Sequence, residues 1–153
     1  MFKEELTDRI NHLFAGYAIS KDVQFPEMTV PSGSLAETAA ILKNDPELQF
    51  DYLISLTAVD FGDRFTMVYH LDSTEFNHMM VLKAEITDHE NPSVETVSNV
   101  WKTAEFHERE VFDLFGIRFN GHPDLRRLFL DEDYGYPLRK DFQDETRVIK
   151  LKS

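Results

Sequence analysis

FDYLISLTAVDFGDRFTMVYHLDSTEFNHMMVLKAEI, residues 50–86, carries the clearest period in the chain, and that period is two. Phe50, Tyr52, Ile54, Leu56 and Ala58 alternate with Asp51, Ser55 and Thr57. Phe61-Gly62-Asp63-Arg64 turns the chain and residues 65–71 return; after a polar break at 72–75, His78, Met80, Leu82, Ala84 and Ile86 share one face. Successive side chains of a strand point to opposite faces, so this alternation marks strands with one buried side. Three of them with short connections predict an antiparallel meander.

On the N-terminal side, Phe2, Leu6, Ile10, Leu13, Phe14 and Tyr17 fall on one helical face and predict a helix over residues 2–17. Val23 and Phe25 predict a short strand over 22–29, with Pro26 placing it at an edge or a bend. After the turn Pro31-Ser32-Gly33-Ser34, Ser34 and Glu37 have capping-box spacing for a helix through Lys43, which Asn44-Asp45-Pro46 stops. On the C-terminal side, Asn91-Pro92-Ser93 predicts the start of a helical region that breaks near Thr103 and re-forms through Phe115, closing on Gly116. Ile117 and Phe119 suit a short strand. This order is α+β: a two-layer domain with a mainly antiparallel (mixed) sheet packed on helices, plus an extended C-terminal tail. The expected division is a domain over 1–119 and a docking segment over 120–153, since from Asn120 onward no period is sustained.

The chain has 153 residues, 42% hydrophobic and 29% charged, in the range of one soluble domain. No apolar run approaches the roughly 18 residues that span a bilayer, so membrane association is expected only through a partner. The first residues, MFKEELTDRINHLF, have early acidic residues and no apolar core segment, so a signal peptide is not expected there. There is no cysteine, which fits a reducing compartment and excludes thiolate-ligated iron–sulfur clusters, Cys–zinc sites and thiol chemistry. The net charge of −12 is uneven: residues 1–100 hold 6 Lys/Arg against 17 Asp/Glu, and residues 101–153 hold 10 against 11. An acidic body repels nucleic acid, whereas the mixed second part suits paired contacts with protein.

Charge and aromatic residues are densest at FHEREVFDLFGIRFNGHPDLRRLFLDEDYGYPLRKDF, residues 106–142. The chain has no G-x-G-x-x-G, no G-x-x-x-x-G-K-[ST], no H-E-x-x-H and no G-x-S-x-G, so no nucleotide, zinc-protease or hydrolase motif is present. One catalytic reading is a metal-dependent hydrolase using Glu108, Glu110, Asp113, Asp131, Glu132 and Asp133 with His107 or His122. The helical spacing turns the first three to different sides, which favours salt bridges. Glu108 falls within the apolar stripe of Trp101, Ala104, Val111, Phe112 and Phe115, where a carboxylate is costly unless paired. It reads either as a proton-active acid or as the structural partner of Arg126 or Arg127, and the second is favoured. Arg109 is in i,i+4 register with Glu105 and Asp113. His122, before Pro123, reads as a turn residue with a satisfied ring nitrogen. For Arg126-Arg127, protein carboxylates are favoured over phosphate or anionic lipid, and Arg139-Lys140-Asp141 is a self-compensating contact strip.

The run Glu108-Arg109-Glu110, Asp113, Leu114-Phe115, His122, Arg126 and Leu128-Phe129 resembles the signature of the 30-kDa (C) subunit of proton-pumping NADH:quinone oxidoreductase, respiratory complex I. FNGHPDLRRLFL and GYPLRKDF resemble the same family's C-terminal hallmark, and the likeness is specific over residues 101–142. The resemblance implies a non-catalytic structural subunit of the hydrophilic arm, docked on the large 49-kDa (D) subunit and neighbouring hydrophilic-arm subunits. It implies no catalytic, cofactor-binding or metal residue in this chain: FMN and iron–sulfur clusters sit on other subunits, and the complex passes electrons from NADH to quinone while moving protons. It further implies a peripheral position on the cytoplasmic side of the cell membrane. The expected signature and docking residues are Glu108, Arg109, Glu110, Asp113, His122, Arg126, Arg127, Tyr134, Tyr136, Arg139, Asp141 and Phe142. Related subunits occur in membrane-bound energy-converting hydrogenases, which is the alternative home.

Overall fold

The computed structural model describes residues 3–17, 19–20, 24–127 and 135–141. The chain runs α1 (Lys3–Leu13), β1 (Ile19–Ser20), β2 (Glu27–Pro31), a 3-10 turn (Ser32–Ser34), α2 (Leu35–Asn44), β3 (Tyr52–Asp60), β4 (Phe65–Ser73), β5 (His78–Ile86), β6 (Ser93–Glu95), α3 (Ala104–Phe115) and β7 (Arg118–Asn120). Five strands form one mixed sheet in the order β1-β2-β5-β4-β3, which contains the predicted antiparallel meander β3-β4-β5. β2 joins β5 in parallel, the expected direction when a helix carries the chain between sheet strands. Leu6 and Ile10 of α1, Leu35, Ala39 and Leu42 of α2, and Ala104, Val111 and Phe115 of α3 share one core with Met67, Tyr69, Leu82 and Ala84 of the sheet. The architecture is the α+β layering read from the sequence.

Several local expectations are corrected. In β3, Leu53 is buried while Tyr52 and Ile54 are 47% and 38% exposed, although Leu56 and Ala58 point inward as expected. The register shifts between Leu53 and Ser55, and such a bulge exchanges the faces on either side of it. The strand expected over 22–29 begins at Glu27 in its described part and lies between β1 and β5 rather than at an edge. Pro26 stands just before it, where its missing N–H costs no ladder bond and its carbonyl accepts Val81 N–H. Ser34 precedes α2 without making the capping-box bond.

Residues 93–103 are not helical. β6 pairs in parallel with β7, Val94 opposite Phe119, and a turn leads into α3 at Ala104. Val94, Thr96 and Val97 are β-branched and suit an extended run better than a helix. The N-terminal helix is also shorter than expected, ending at Leu13, and Phe14 and Tyr17 continue its buried face through a turn; Phe2 lies outside the described residues.

The end of α3 is set by Gly116, at φ 77°, whose N–H closes the helix on Phe112 O at 2.9 Å. A Cβ there would lie 2.7 Å from the Tyr136 ring, so glycine is needed both for the left-handed backbone and for the close approach of the returning chain. Gly116→Ala is expected to cost on the order of 2 kcal/mol in urea unfolding. In a Tyr136→Ala background the cost should drop to about the 1 kcal/mol of backbone strain alone; equal costs in both backgrounds would contradict the contact.

Candidate functional site

The signature residues converge on a joint between α3, the β6–β7 pair and the returning segment 135–141. Asp113 is fully buried on α3, and its carboxylate takes the Nε–H of Arg127 in a buried ion pair. Arg127 Nη2 also donates to Asp113 O at 3.0 Å and to Gly135 O at 2.7 Å, and its guanidinium lies 4.8 Å over the Tyr136 ring. One arginine thus ties a helix to the chain on both sides of residues 128–134. A charge-assisted, multiply bonded arginine of this kind fixes geometry as well as contributing energy.

Glu108 is also fully buried, but the sequence expectation that it pairs with Arg126 or Arg127 is overturned. Its carboxylate accepts the Thr96 hydroxyl at 2.5 Å and the Val97 N–H at 2.9 Å, capping the turn after β6. The arginine pairing fails because it is Asp113, five residues further along α3, that meets the returning chain. Burial pushes Glu108 up to about 7; the Thr96 and Val97 bonds oppose this, and the charge of Glu105 adds to it. The nearby Tyr69 hydroxyl is buried without a hydrogen-bond partner, and burial, then the charge of Glu108, hold that phenol well above its usual range.

His122 turns inward. Its side chain is fully buried, its Nδ1 accepts Asp124 N–H at 2.9 Å, and its Nε2–H donates to Glu105 O at 2.8 Å, 3.9 Å from Glu108. This is the satisfied turn histidine read from the sequence. It staples the chain after β7 to the first turn of α3.

The other named residues separate into internal ties and surface. Glu110 pairs with His107 at 3.2 Å on the helix surface and makes no described contact with the returning segment. Arg109 forms neither i,i+4 pair among the described residues, and its Nε is buried without a hydrogen-bond partner; Asp113, its expected partner, is held by Arg127 instead. Arg126 is exposed and pairs with Asp124. Arg139 pairs with Asp141 at 3.0 Å, as the self-compensating strip predicts, and also donates to His89 O at 2.6 Å. Tyr134 and Phe142 lie outside the described residues, as do Asp131, Glu132 and Asp133. Glu108, Glu110 and Asp113 reach three different partners, so the described carboxylates of the metal-hydrolase reading do not converge.

Sequence reasoning missed Asp60, the anchor of the returning strip. It is buried at the end of β3 and accepts Lys140 N–H and Gly62 N–H at 2.8 Å each and His89 Nε2 at 2.7 Å. Burial opposes its ionisation, but the Lys140 and Gly62 amides and His89 outweigh it and lower its pKa. The turn residues Asp60 to Gly62 announce the local bond; a partner eighty residues away leaves no local signal.

The family described as Respiratory-chain NADH dehydrogenase, 30 Kd subunit, matches residues 28–148 of this chain. The C/D subunit of the NADH-quinone oxidoreductase of Phocaeicola vulgatus is 43% identical over 124 residues, covering 80% of this chain and 24% of that protein. The C subunit of the corresponding enzyme of Roseiflexus sp. is 45% identical over 111 residues, covering 70% of this chain and 63% of that protein. The chain therefore spans about a quarter of the C/D relative and somewhat under two-thirds of the separate C relative. In the solved membrane-bound sulfane sulfur reductase, an archaeal respiratory membrane complex, one chain is 27% identical with a TM-score of 0.82; the match covers 97% of this chain and 89% of that one.

Glu108 supplies a pH test. Unfolded, its carboxyl ionises near 4.5; folded, it keeps its proton to about 7. The folded state binds more protons in that window, so this contribution to stability is full below pH 4.5 and is lost as pH rises through 7, by on the order of 3 kcal/mol. Glu108→Gln should lack this loss and be the more stable protein at pH 8 in urea titrations. The lowered Asp45, Asp51 and Asp60 act equally in both proteins, so their difference isolates Glu108. Parallel stability curves from pH 5 to 8 would contradict the buried acid.

Proposed function

Because this chain belongs to the respiratory-chain NADH dehydrogenase 30-kDa subunit family, we propose that it is a structural, non-catalytic part of the hydrophilic arm of a proton-translocating NADH:quinone oxidoreductase. The observation that carries this reading is the use made of the signature charges. Asp113, Glu108, His122 and Arg127 bond to one another's elements and hold the fold together, instead of converging on a common point where a substrate would react. The chain oxidises and reduces nothing itself in this account; it shapes and holds a surface against the subunits that do.

The partner is the large 49-kDa-type subunit, the D component. Relatives named for both C and D carry the two on one polypeptide, and the part that matches this chain is about a quarter of it, which supports a fixed pairing. The body over 1–119 would pack against the hydrophilic arm, with the segment over 120–153 wrapping the 49-kDa partner. Among the described residues, 120–127 and 135–141 are tied back to the body, so the wrapping surface starts from a folded base. FMN and iron–sulfur clusters would belong to other subunits, in keeping with a chain that has no cysteine to ligate a cluster. No helix among the described residues is long and apolar enough to cross a membrane, and the chain would sit peripherally on the cytoplasmic side.

A second reading is a place in a related membrane-bound respiratory complex with another electron donor, such as an energy-converting hydrogenase. The likeness to a chain of the sulfane sulfur reductase, over 97% of this chain, supports it. Affinity-tagging this chain in its host and identifying what co-purifies separates the two. A large subunit together with an NADH-oxidising flavoprotein is expected. A hydrogenase or sulfur-reducing assembly would move the chain to the second reading, and purification as a lone chain would overturn both.

A further inference from the structure

A cavity of about 240 Å³ opens between the C-terminal half of α3, β7 and residues 125–127, lined by Phe112, Arg118, Leu125, Arg126, Arg127 and Tyr136. Its aromatic wall is well supported: Phe112 is 7% exposed, and its ring lies 6.1 Å from that of Tyr136. Three guanidinium groups surround that wall. Arg127 is committed to Asp113 and Gly135. Arg126 faces solvent and shares its charge with the half-exposed Asp124. Arg118 is exposed, lies 5.5 Å over the Phe112 ring and has no carboxylate partner among the described residues.

This is an unusual place for cations in a chain of net charge −12. A surface arginine held over an aromatic face keeps its N–H fork pre-set for a carboxylate. The space falls short of the roughly 300–1,000 Å³ of small-molecule sites. It suits a side chain with an aliphatic stem and a charged end.

We propose that this cavity receives an acidic side chain, glutamate or aspartate, from an extended segment of the large partner subunit, with Arg118 as the pairing cation. The inference rests on the structural-subunit reading above and deepens it by placing the charge complementarity. The body of this chain is acidic and would repel an acidic segment elsewhere; the rim of this cavity is where such a segment is attracted. Arg127 serves as a positioning residue, since its bonds to Asp113 and Gly135 hold Tyr136 in the wall.

The test is co-expression of the tagged full chain with the large subunit from the same host, followed by affinity capture and titration at two salt concentrations. Arg118→Glu should weaken association at least tenfold at moderate salt while leaving the thermal unfolding midpoint unchanged, because Arg118 is exposed. Arg118→Lys, which keeps the charge but loses the stacked N–H fork, should weaken association less than Arg118→Glu does, and Arg64→Glu, on the β3–β4 turn, should match the wild type. Wild-type association should fall more steeply with salt than that of Arg118→Ala. Unaltered capture by Arg118→Glu, with wild-type capture intact, would overturn the cavity assignment and leave the structural-subunit reading standing. A wild-type chain that captures no large subunit would overturn both.

Discussion

The buried pair of Asp113 and Arg127 is the constraint on which the C-terminal third of the structure depends. A carboxylate with no exposure at all either keeps its proton, as Glu108 does, or needs a matched cation and further hydrogen bonds. Arg127 supplies that cation and reaches Gly135 with the same guanidinium. Removing either partner leaves an uncompensated charge in the core, so the pair acts as a specification of where the returning chain must lie. Gly116, Tyr136 and the Leu138 N–H bond to Leu114 O then complete a surface that only this path of the chain fits.

Around that pair, polar groups are arranged as ties between elements distant in sequence. Glu108 joins α3 to the turn after β6, His122 joins the chain after β7 to the start of α3, and Asp60 joins β3 to residues 139–141. The Glu108 and Asp60 ties satisfy backbone N–H groups in irregular stretches, as buried backbone requires, and the His122 tie gives a buried imidazole N–H its acceptor. A charge-rich segment of this kind resembles an active site in composition. What separates it from one is direction: its charged groups point at backbone and at each other. Among the described residues of this joint, the exposed cations are Arg118 and Arg126 at the cavity rim and Lys140 on the returning segment.

Much of the fold was legible from the sequence because its signal is local. The meander over 50–86, α2, the helix closing on Gly116 and the strand after it all follow from period and punctuation. The errors came where tertiary contact overrode local pattern. The bulge in β3 moved Tyr52 and Ile54 to the outside, and β6 was drawn into a strand by pairing with β7, a partner more than twenty residues on. In the site, the residue set was readable but its wiring was not. Glu108 and Asp113 are both acids on one helix, five residues apart, and only the path of the returning chain decides which of them meets an arginine. The long-range roles of Asp60 and Arg118 carried no signal, since one is a turn aspartate and the other a strand-end arginine until distant residues come to them.

The signature charges are a joint of the fold, and the most direct measurement of that claim is a double-mutant cycle on Asp113 and Arg127. Asp113→Ala, Arg127→Ala and the double variant would be unfolded in urea under one set of conditions. A buried pair that loses one partner costs roughly 3–5 kcal/mol, and losing both should cost far less than the sum. A coupling of about 2 kcal/mol or more between the two sites is therefore expected. Single-variant costs that simply add would contradict it, and would make these charges candidates for chemistry again.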